Sequence, residues 1–436
     1  MWPVLYGAEE LSASSSGLVI EPSMVFSPER KKYLAVMSMI GAGHTMSHFY
    51  LLALPPLFSI YWLTEFNVNY AELGLIVSVM NVAAGLSQLP AGMLVDRIGP
   101  RPMLVGGLLA MGGGIALMGF APSYGVILVL SALSGMGNSV FHPADYAILG
   151  HAIKADRVGR AFAIHTFCGN VGFMIAPASI LLMSSMWGWR GALICAGSIS
   201  VLVALAILRW GRMLQAPQDQ SPQSHVAGTA TSATSIRPLL TASVLTMFMF
   251  FVVTAMITSG FHAFAVTLLD KLHNQSAAVA GTLFTAFLVA GSVGVLIGGA
   301  IADKTSRHGL FTGVAMAVGA IGLFIMGQPG LSFVVLFIIL VVVGGTQGMI
   351  RPSRDIIVSS ITPPGATGRV FAFVSIGLNV GSAITPVVFG YMIDIGRVQE
   401  VFYAMAVILF LGISTVAITR WKSAGGLAES RTGAAG

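Results

Sequence analysis

The sequence predicts an all-α integral membrane protein with twelve transmembrane helices in two pseudo-symmetric six-helix bundles. Three observations predict it: a composition too apolar for a water-covered surface, apolar runs of membrane-spanning length along the whole chain, and an internal repeat. Of 436 residues, 56% are hydrophobic and 9% charged, against roughly 25% charged in an ordinary soluble domain. Runs of about twenty apolar residues are long enough to cross the hydrocarbon layer at about 1.5 Å per residue. The 52 glycines suit close helix-to-helix approach in lipid.

Taken in order, the apolar runs place helices over 35–62, 71–95, 102–121, 124–150, 161–186 and 191–209 in the first half. In the second half they fall over 239–268, 277–302, 309–328, 331–358, 368–393 and 400–420. This divides the chain into an N-terminal tail (1–32), a six-helix bundle (33–210), a linker (211–238), a second bundle (239–421) and a C-terminal tail (422–436). The linker is rich in Gln, Ser, Pro, Thr and Ala without an apolar face, which reads as flexible chain. In the first tail, Glu9, Glu10 and Glu21 precede Arg30, Lys31 and Lys32, unlike the basic start of a cleaved signal peptide. Cys168 and Cys195 both lie in apolar stretches and read as packing residues, not a disulfide or a metal pair.

Basic residues orient the helices, because short cytoplasmic loops carry an excess of Lys and Arg. With both termini cytoplasmic, 17 of the 22 basic residues fall on that side; only Arg190, Lys271 and Arg397 fall outside, and Arg351 and Arg354 lie within the tenth span. The net charge of +6 therefore reflects topology in an inner (plasma) membrane, with a lipid bilayer and no nucleic acid as partner.

The repeat relates the halves residue by residue. Gly159-Arg160-Ala161-Phe162-Ala163 recurs as Gly368-Arg369-Val370-Phe371-Ala372, Asn170-Val171-Gly172 as Asn379-Val380-Gly381, Pro177 as Pro386 and Pro143 as Pro352, all at one offset of 209. A second element follows spans 2 and 8: Gly92, Asp96, Arg97, Gly99 and Arg101 are echoed by Gly299, Asp303, Lys304 and Arg307.

These loops resemble the signature between helices 2 and 3 of the major facilitator superfamily. The resemblance covers the whole membrane region. It implies that Gly92, Asp96, Arg97, Gly99, Arg101, Asp303 and Lys304 form a structural latch that biases which face is open. It also implies a central cavity lined by spans 1, 4, 7 and 10. Ser139-Val140-Phe141-His142-Pro143, and His48-Phe49 followed by Leu54-Pro55-Pro56-Leu57, are similar to the fosmidomycin-resistance-like branch. Tyr50, Leu51 and Leu52 stand where that branch has an acid, and Ser131 where many proton-driven members have arginine. Gly172 with Ala176-Pro177, and Gly381 with Thr385-Pro386, resemble a degraded antiporter motif; small residues for helix contact explain them equally well.

Ionisable groups inside a membrane are costly, so each is a functional candidate. Span 4 carries Asn138, His142 and Asp145, and span 10 carries Gln347, Arg351 and Arg354, both at i, i+4, i+7 and so on one face. The repeat superimposes them one for one. Midplane depth makes Asn138, His142, Gln347 and Arg351 substrate-binding candidates, joined by His48 and His262. His44, His48, Asp145, Arg354 and Asp355 are the proton-coupling or gating candidates, with Asp145 facing Arg354 and Asp355 pointing about 100° away from Arg354. Pro143 and Pro352 each deny their helix a hydrogen bond, as in the broken helices that line cavities. His165, Asn81 and Gln88 read as packing residues.

No phosphate loop, nucleophile elbow or metal-ligand spacing occurs, so an enzyme, a built-in ATPase and a metal centre are not expected. No cofactor is expected either. The reading is a monomeric, proton-coupled secondary transporter of a small organic anion, held by guanidinium. The direction stays open, leaning to efflux. The alternatives are a multidrug proton antiporter for neutral or cationic compounds, and a non-transporting sensor that kept the fold.

Overall fold

The computed structural model describes residues 28–215, 237–362 and 367–432. Most of the N-terminal tail, the linker core over 216–236 and the last four residues lie outside the described residues. The described chain is helical throughout. The membrane helices are α1 (Pro28–Ala53), α2 (Tyr70–Ile98), α3 (Pro100–Met118), α4 (Tyr124–Ala152), and α5 and α6, which share Ala155–Trp210 and divide at Gly188. They continue with α7 (Ala242–His273), α8 (Ala277–Ala302), α9 (His308–Met326), α10 (Phe333–Ile361), α11 (Thr367–Asp394) and α12 (Val398–Thr432).

Ten described stretches are long and apolar enough to span a membrane, one of them 58 residues long. That long stretch is two spans, because Gly188 at φ 68° breaks the helix in a backbone conformation that favours glycine. The remaining span is α1, whose apolar run is interrupted by His44, Ser47 and His48. Twelve spans result, as expected from the sequence. α12 continues past the predicted end at 420 to Thr432.

Local chemistry sets the helix ends. Pro55 and Pro56 cannot donate a backbone hydrogen bond, and α1 gives way there to a 3₁₀ turn over Pro55–Leu57 and a π turn over Phe58–Trp62. Asn69 and Glu72 form a reciprocal capping box at the start of α2, and Thr241 and Ser276 cap α7 and α8. The two prolines of the repeat behave differently: α4 is interrupted by a turn at Ser139–Val140, whereas α10 runs unbroken through Pro352. The backbone at Ser139 and Val140 keeps right-handed helical dihedrals, so α4 is loosened there and not broken.

Within the first half α1 packs along α5, α3 along α4 and α6, and α2 along α4; the second half repeats the pattern with α7 on α11, α9 on α10 and α12, and α8 on α10. The halves meet along α2–α11 and α5–α8. These contacts concentrate at the end opposite the Lys- and Arg-rich loops. There Gly74 lies so close to α11 that a Cβ would stand 2.1 Å from the Pro386 carbonyl, and Gly390 likewise 2.2 Å from the Tyr70 carbonyl. The Asp394 carboxylate accepts from the Tyr70 and Ala71 backbone N–H groups at 2.8 and 2.9 Å, capping α2 from the other half. Phe58 and Phe264 meet across the same closure, ring centroids 6.2 Å apart.

In the predicted latch loop, Arg101 makes the tie. Arg101 donates to the Ile207 carbonyl at 3.4 Å and to that of Leu208, binding the α2–α3 loop to the end of α6. Gly99, at φ 91°, makes the turn. Asp96, Arg97, Asp303 and Lys304 are exposed, and the Asp96 and Asp303 carboxylates make no ion pair among the described residues. In this state the loop is held by a basic side chain on helix-end carbonyls and not by its acid.

Candidate functional site

Two adjoining cavities lie between the halves, and both are lined by Phe173, Thr258, His262 and Arg351. The smaller, about 40 Å³, adds Asn170, Phe287, Ser292 and Gln347. The larger, about 170 Å³, adds Leu51, Leu54, Val77, Asn81 and Ser382. A void of about 10–15 Å³ with polar partners is enough for a water, and both cavities exceed that and carry polar side chains on a largely apolar lining. Arg351 is exposed to this space and makes no ion pair or hydrogen bond among the described residues. The neighbouring Gln347 has its Nε2 buried without a partner there. A guanidinium and an amide donor thus share one cavity, beside the His262 ring and Phe287, whose centroids are 6.1 Å apart.

Of the expected binding residues, Arg351, Gln347 and His262 come together at this cavity. His142 is exposed on α4, its ring 5.5 Å from that of His44. His48 packs at 4.4 Å on both His44 and Phe173, and so adjoins the cavity through the Phe173 ring. Asn138 does not join: its Nδ2 lies 3.7 Å from the Met111 sulfur on α3, and it lines neither cavity.

Within the gating set the structure pairs the side chains differently. Asp145 does not face Arg354. It is fully buried, accepting from His165 Nε2 at 2.9 Å and lying 3.5 Å from His44 Nδ1. A carboxylate on so short a stem stays beside its own helix, and α1 and α5 supply the imidazoles it meets. The Asp145 Oδ1, His44 Nδ1 and His48 Nδ1 atoms have no hydrogen-bond partner among the described residues. Arg354 instead donates Nε to Asp355 Oδ1 at 2.9 Å and lies 4.4 Å over the Phe251 ring. Adjacent residues about 100° apart on a helix were expected to look elsewhere; the long arginine side chain folds back across that angle. Asp355 itself is 49% exposed.

Sequence reasoning missed four participants. His165 belongs to the buried cluster. Its place was recoverable only from the third dimension, since spacing on one helix reveals a face and not its partners. Asn81, Asn170 and Phe173 line the cavity; Asn170 heads a repeated motif, the one signal that marked it. The Asn81 amide donates to the Val77 carbonyl at 2.8 Å. Among the described residues His44, Asp145 and His165 are the donor group close enough to hold a metal, their ligand atoms all within 4.8 Å of one another.

Residues 36–273 and 253–434 each match the profile described as the Major Facilitator Superfamily. The chain belongs to that superfamily and is a secondary transporter, not an enzyme. It is 27% identical over 399 residues to the fosmidomycin resistance protein of Escherichia coli K12, covering 88% of this chain and 91% of the relative. It is 25% identical over 386 residues to the MFS-type transporter YfnC of Bacillus subtilis, covering 87% and 91%. A crystal structure of a bacterial homologue of the human lysosomal transporter Spinster superimposes with a TM-score of 0.75 at 14% identity, covering 90% of this chain and 97% of that one. That likeness shows the fold.

Proposed function

We propose that this transporter moves a small organic anion by alternating access, with Arg351 holding its carboxylate, phosphonate or phosphate group. The observation that carries the reading is one guanidinium, in no ion pair among the described residues, exposed in a cavity between the two halves. A guanidinium binds such groups through two parallel N–H donors, and carriers bind near the midplane where the halves meet. Gln347 adds an amide donor, while Phe173 and Phe287 offer an apolar wall to the rest of the solute.

Protons are the proposed coupling ion. His262 shares both cavities with Arg351, and an imidazole can take up and release a proton. A proton on His262 adds a second positive charge beside Arg351 and tightens the hold on an anion; its release loosens it. The excess of Lys and Arg on one side supports cytoplasmic termini in the plasma membrane. With the contacts between halves at the other end, the cavity is proposed to open to the cytoplasm. The relative named for fosmidomycin resistance supports export.

The test is flux in proteoliposomes under an imposed pH gradient, with a panel of small carboxylates, phosphonates and phosphate esters against organic cations. Wild type should move at least one anion, and Arg351→Ala should move none while remaining monodisperse in detergent. Anion flux at the wild-type rate in Arg351→Ala, or cation flux alone in wild type, overturns the reading. The second outcome would favour the multidrug antiporter.

A further inference from the structure

We propose that His44, Asp145 and His165 form a site for one divalent transition-metal ion of the zinc class, inside the N-terminal half. The three side chains come from α1, α4 and α5, and they are 3%, 0% and 2% exposed. Their donor atoms lie within 4.8 Å of one another. The Asp145 Oδ2 is 2.9 Å from His165 Nε2 and 3.5 Å from His44 Nδ1. Zinc bound tetrahedrally at about 2.0–2.2 Å spaces its ligand atoms roughly 3.4 Å apart, so the cluster is already near coordination geometry.

The unsatisfied atoms point the same way. Asp145 Oδ1 and His44 Nδ1 are buried without a hydrogen-bond partner among the described residues, and such orphaned groups are costly in the interior. An ion takes the place of the proton between His165 and Asp145 and engages the free nitrogen of His44. The His44 and His165 rings are stacked at 3.8 Å and inclined by 24°, so His44 must turn about χ2 to aim its lone pair at a shared point. His142, its ring 5.5 Å from that of His44 and exposed, is placed to supply a fourth nitrogen and an entry path.

Donor chemistry selects the metal. Two imidazoles and one carboxylate suit zinc, cobalt or nickel, whereas calcium and magnesium prefer all-oxygen sites. The repeat predicts the stoichiometry. The equivalent positions in the second half are Phe251, Arg354 and Val374, which offer no ligand, so one ion binds per chain. By linking α1, α4 and α5 the ion would fix the packing of two helices against the one that carries His142. This inference stands on its own cluster and does not depend on what Arg351 binds.

The experiment uses tag-free full-length protein in detergent, stripped with chelator and titrated with Co²⁺ and, separately, Zn²⁺. One equivalent of Co²⁺ should bind with the intense visible bands of a low-coordinate site. Asp145→Asn and His165→Gln should weaken Zn²⁺ binding more than about a hundredfold, beyond the 10–100-fold typical of disturbing a ligand's supporting contacts; Cys168→Ser should bind as wild type. X-ray absorption of zinc-loaded wild type should show nitrogen and oxygen at about 2.0–2.1 Å, a readout independent of any variant's folding. Absence of stoichiometric binding by wild type, binding undiminished in both variants, or a sulfur neighbour at about 2.3 Å overturns the proposal.

Discussion

In the N-terminal half, Asp145 lies between His44 and His165, fully buried. Its counterpart in the C-terminal half, Arg354, lies over the Phe251 ring and pairs with its own neighbour Asp355. The two places are structurally matched. Gly172 of α5 sits against the Thr45 carbonyl and Gly381 of α11 against the Val252 carbonyl, so α1 and α7 correspond at an offset of 207. The backbone contact is repeated while the chemistry inside it is exchanged. One half turns His44, Asp145 and His165 inward onto each other; the other leaves Arg351, the counterpart of His142, open to the cavity. Symmetry supplies the scaffold, and the proposed binding residue stands where the copies differ.

The sharpest way to break this comparison is to make the copies alike. Arg351→His places on α10 the residue that α4 already carries at the matched position. Losing a bidentate, charge-assisted contact costs about 3 kcal/mol, roughly two orders of magnitude in affinity. Anion uptake should therefore fall about a hundredfold at substrate concentrations below saturation, with insertion unchanged. Uptake within about threefold of wild type would show that the asymmetry at this pair is incidental.

A smaller effect separates the buried acid from its basic counterpart. Asp145→Asn leaves one oxygen for His165 but removes the charge that orients two buried imidazoles, costing about 2 kcal/mol in chelator-treated protein. Arg354→Gln gives up a part-exposed contact with Phe251 worth about 0.5–1 kcal/mol. Thermal unfolding in detergent should rank Asp145→Asn clearly below Arg354→Gln. Equal losses would mean that the two matched sites are held alike.

How much of this was legible follows from what a sequence period encodes. The spans, the repeat and the shared face of Gln347, Arg351 and Arg354 follow from spacing along one helix, and Arg351, Gln347 and His262 do meet at the cavity. Partner choice does not follow from spacing. Superimposing the repeats set Asp145 opposite Arg354, yet a short carboxylate satisfied within its own half never reaches across. His165 looked like packing because nothing on α5 alone shows that α1 and α4 bring it His44 and Asp145. Asn138 shares a face with His142 by period, but its amide meets Met111 of the neighbouring α3, a partner that spacing on α4 alone does not show.

The closure between the halves repeats the lesson at its smallest scale. Gly74 on α2 lies against the Pro386 carbonyl, and its counterpart Gly281 on α8 against the Leu181 side chain. Among the described residues, the first interface is the one also capped across the halves. Asp394 receives the first N–H groups of α2, whereas its counterpart is Ser185 and α8 is capped by its own Ser276. A carboxylate at a helix N-terminus is favoured by the dipole and by charge-assisted bonds, so Asp394→Asn should cost the closed end about 1 kcal/mol. The ratio of closed to open molecules should shift about fivefold towards opening. Spin labels on the ends of α2 and α11 would read this as a longer-distance population, with Ser185→Ala as the matched control that leaves the distribution as it was. An unchanged distribution in Asp394→Asn would show that the glycine contacts alone hold that end shut.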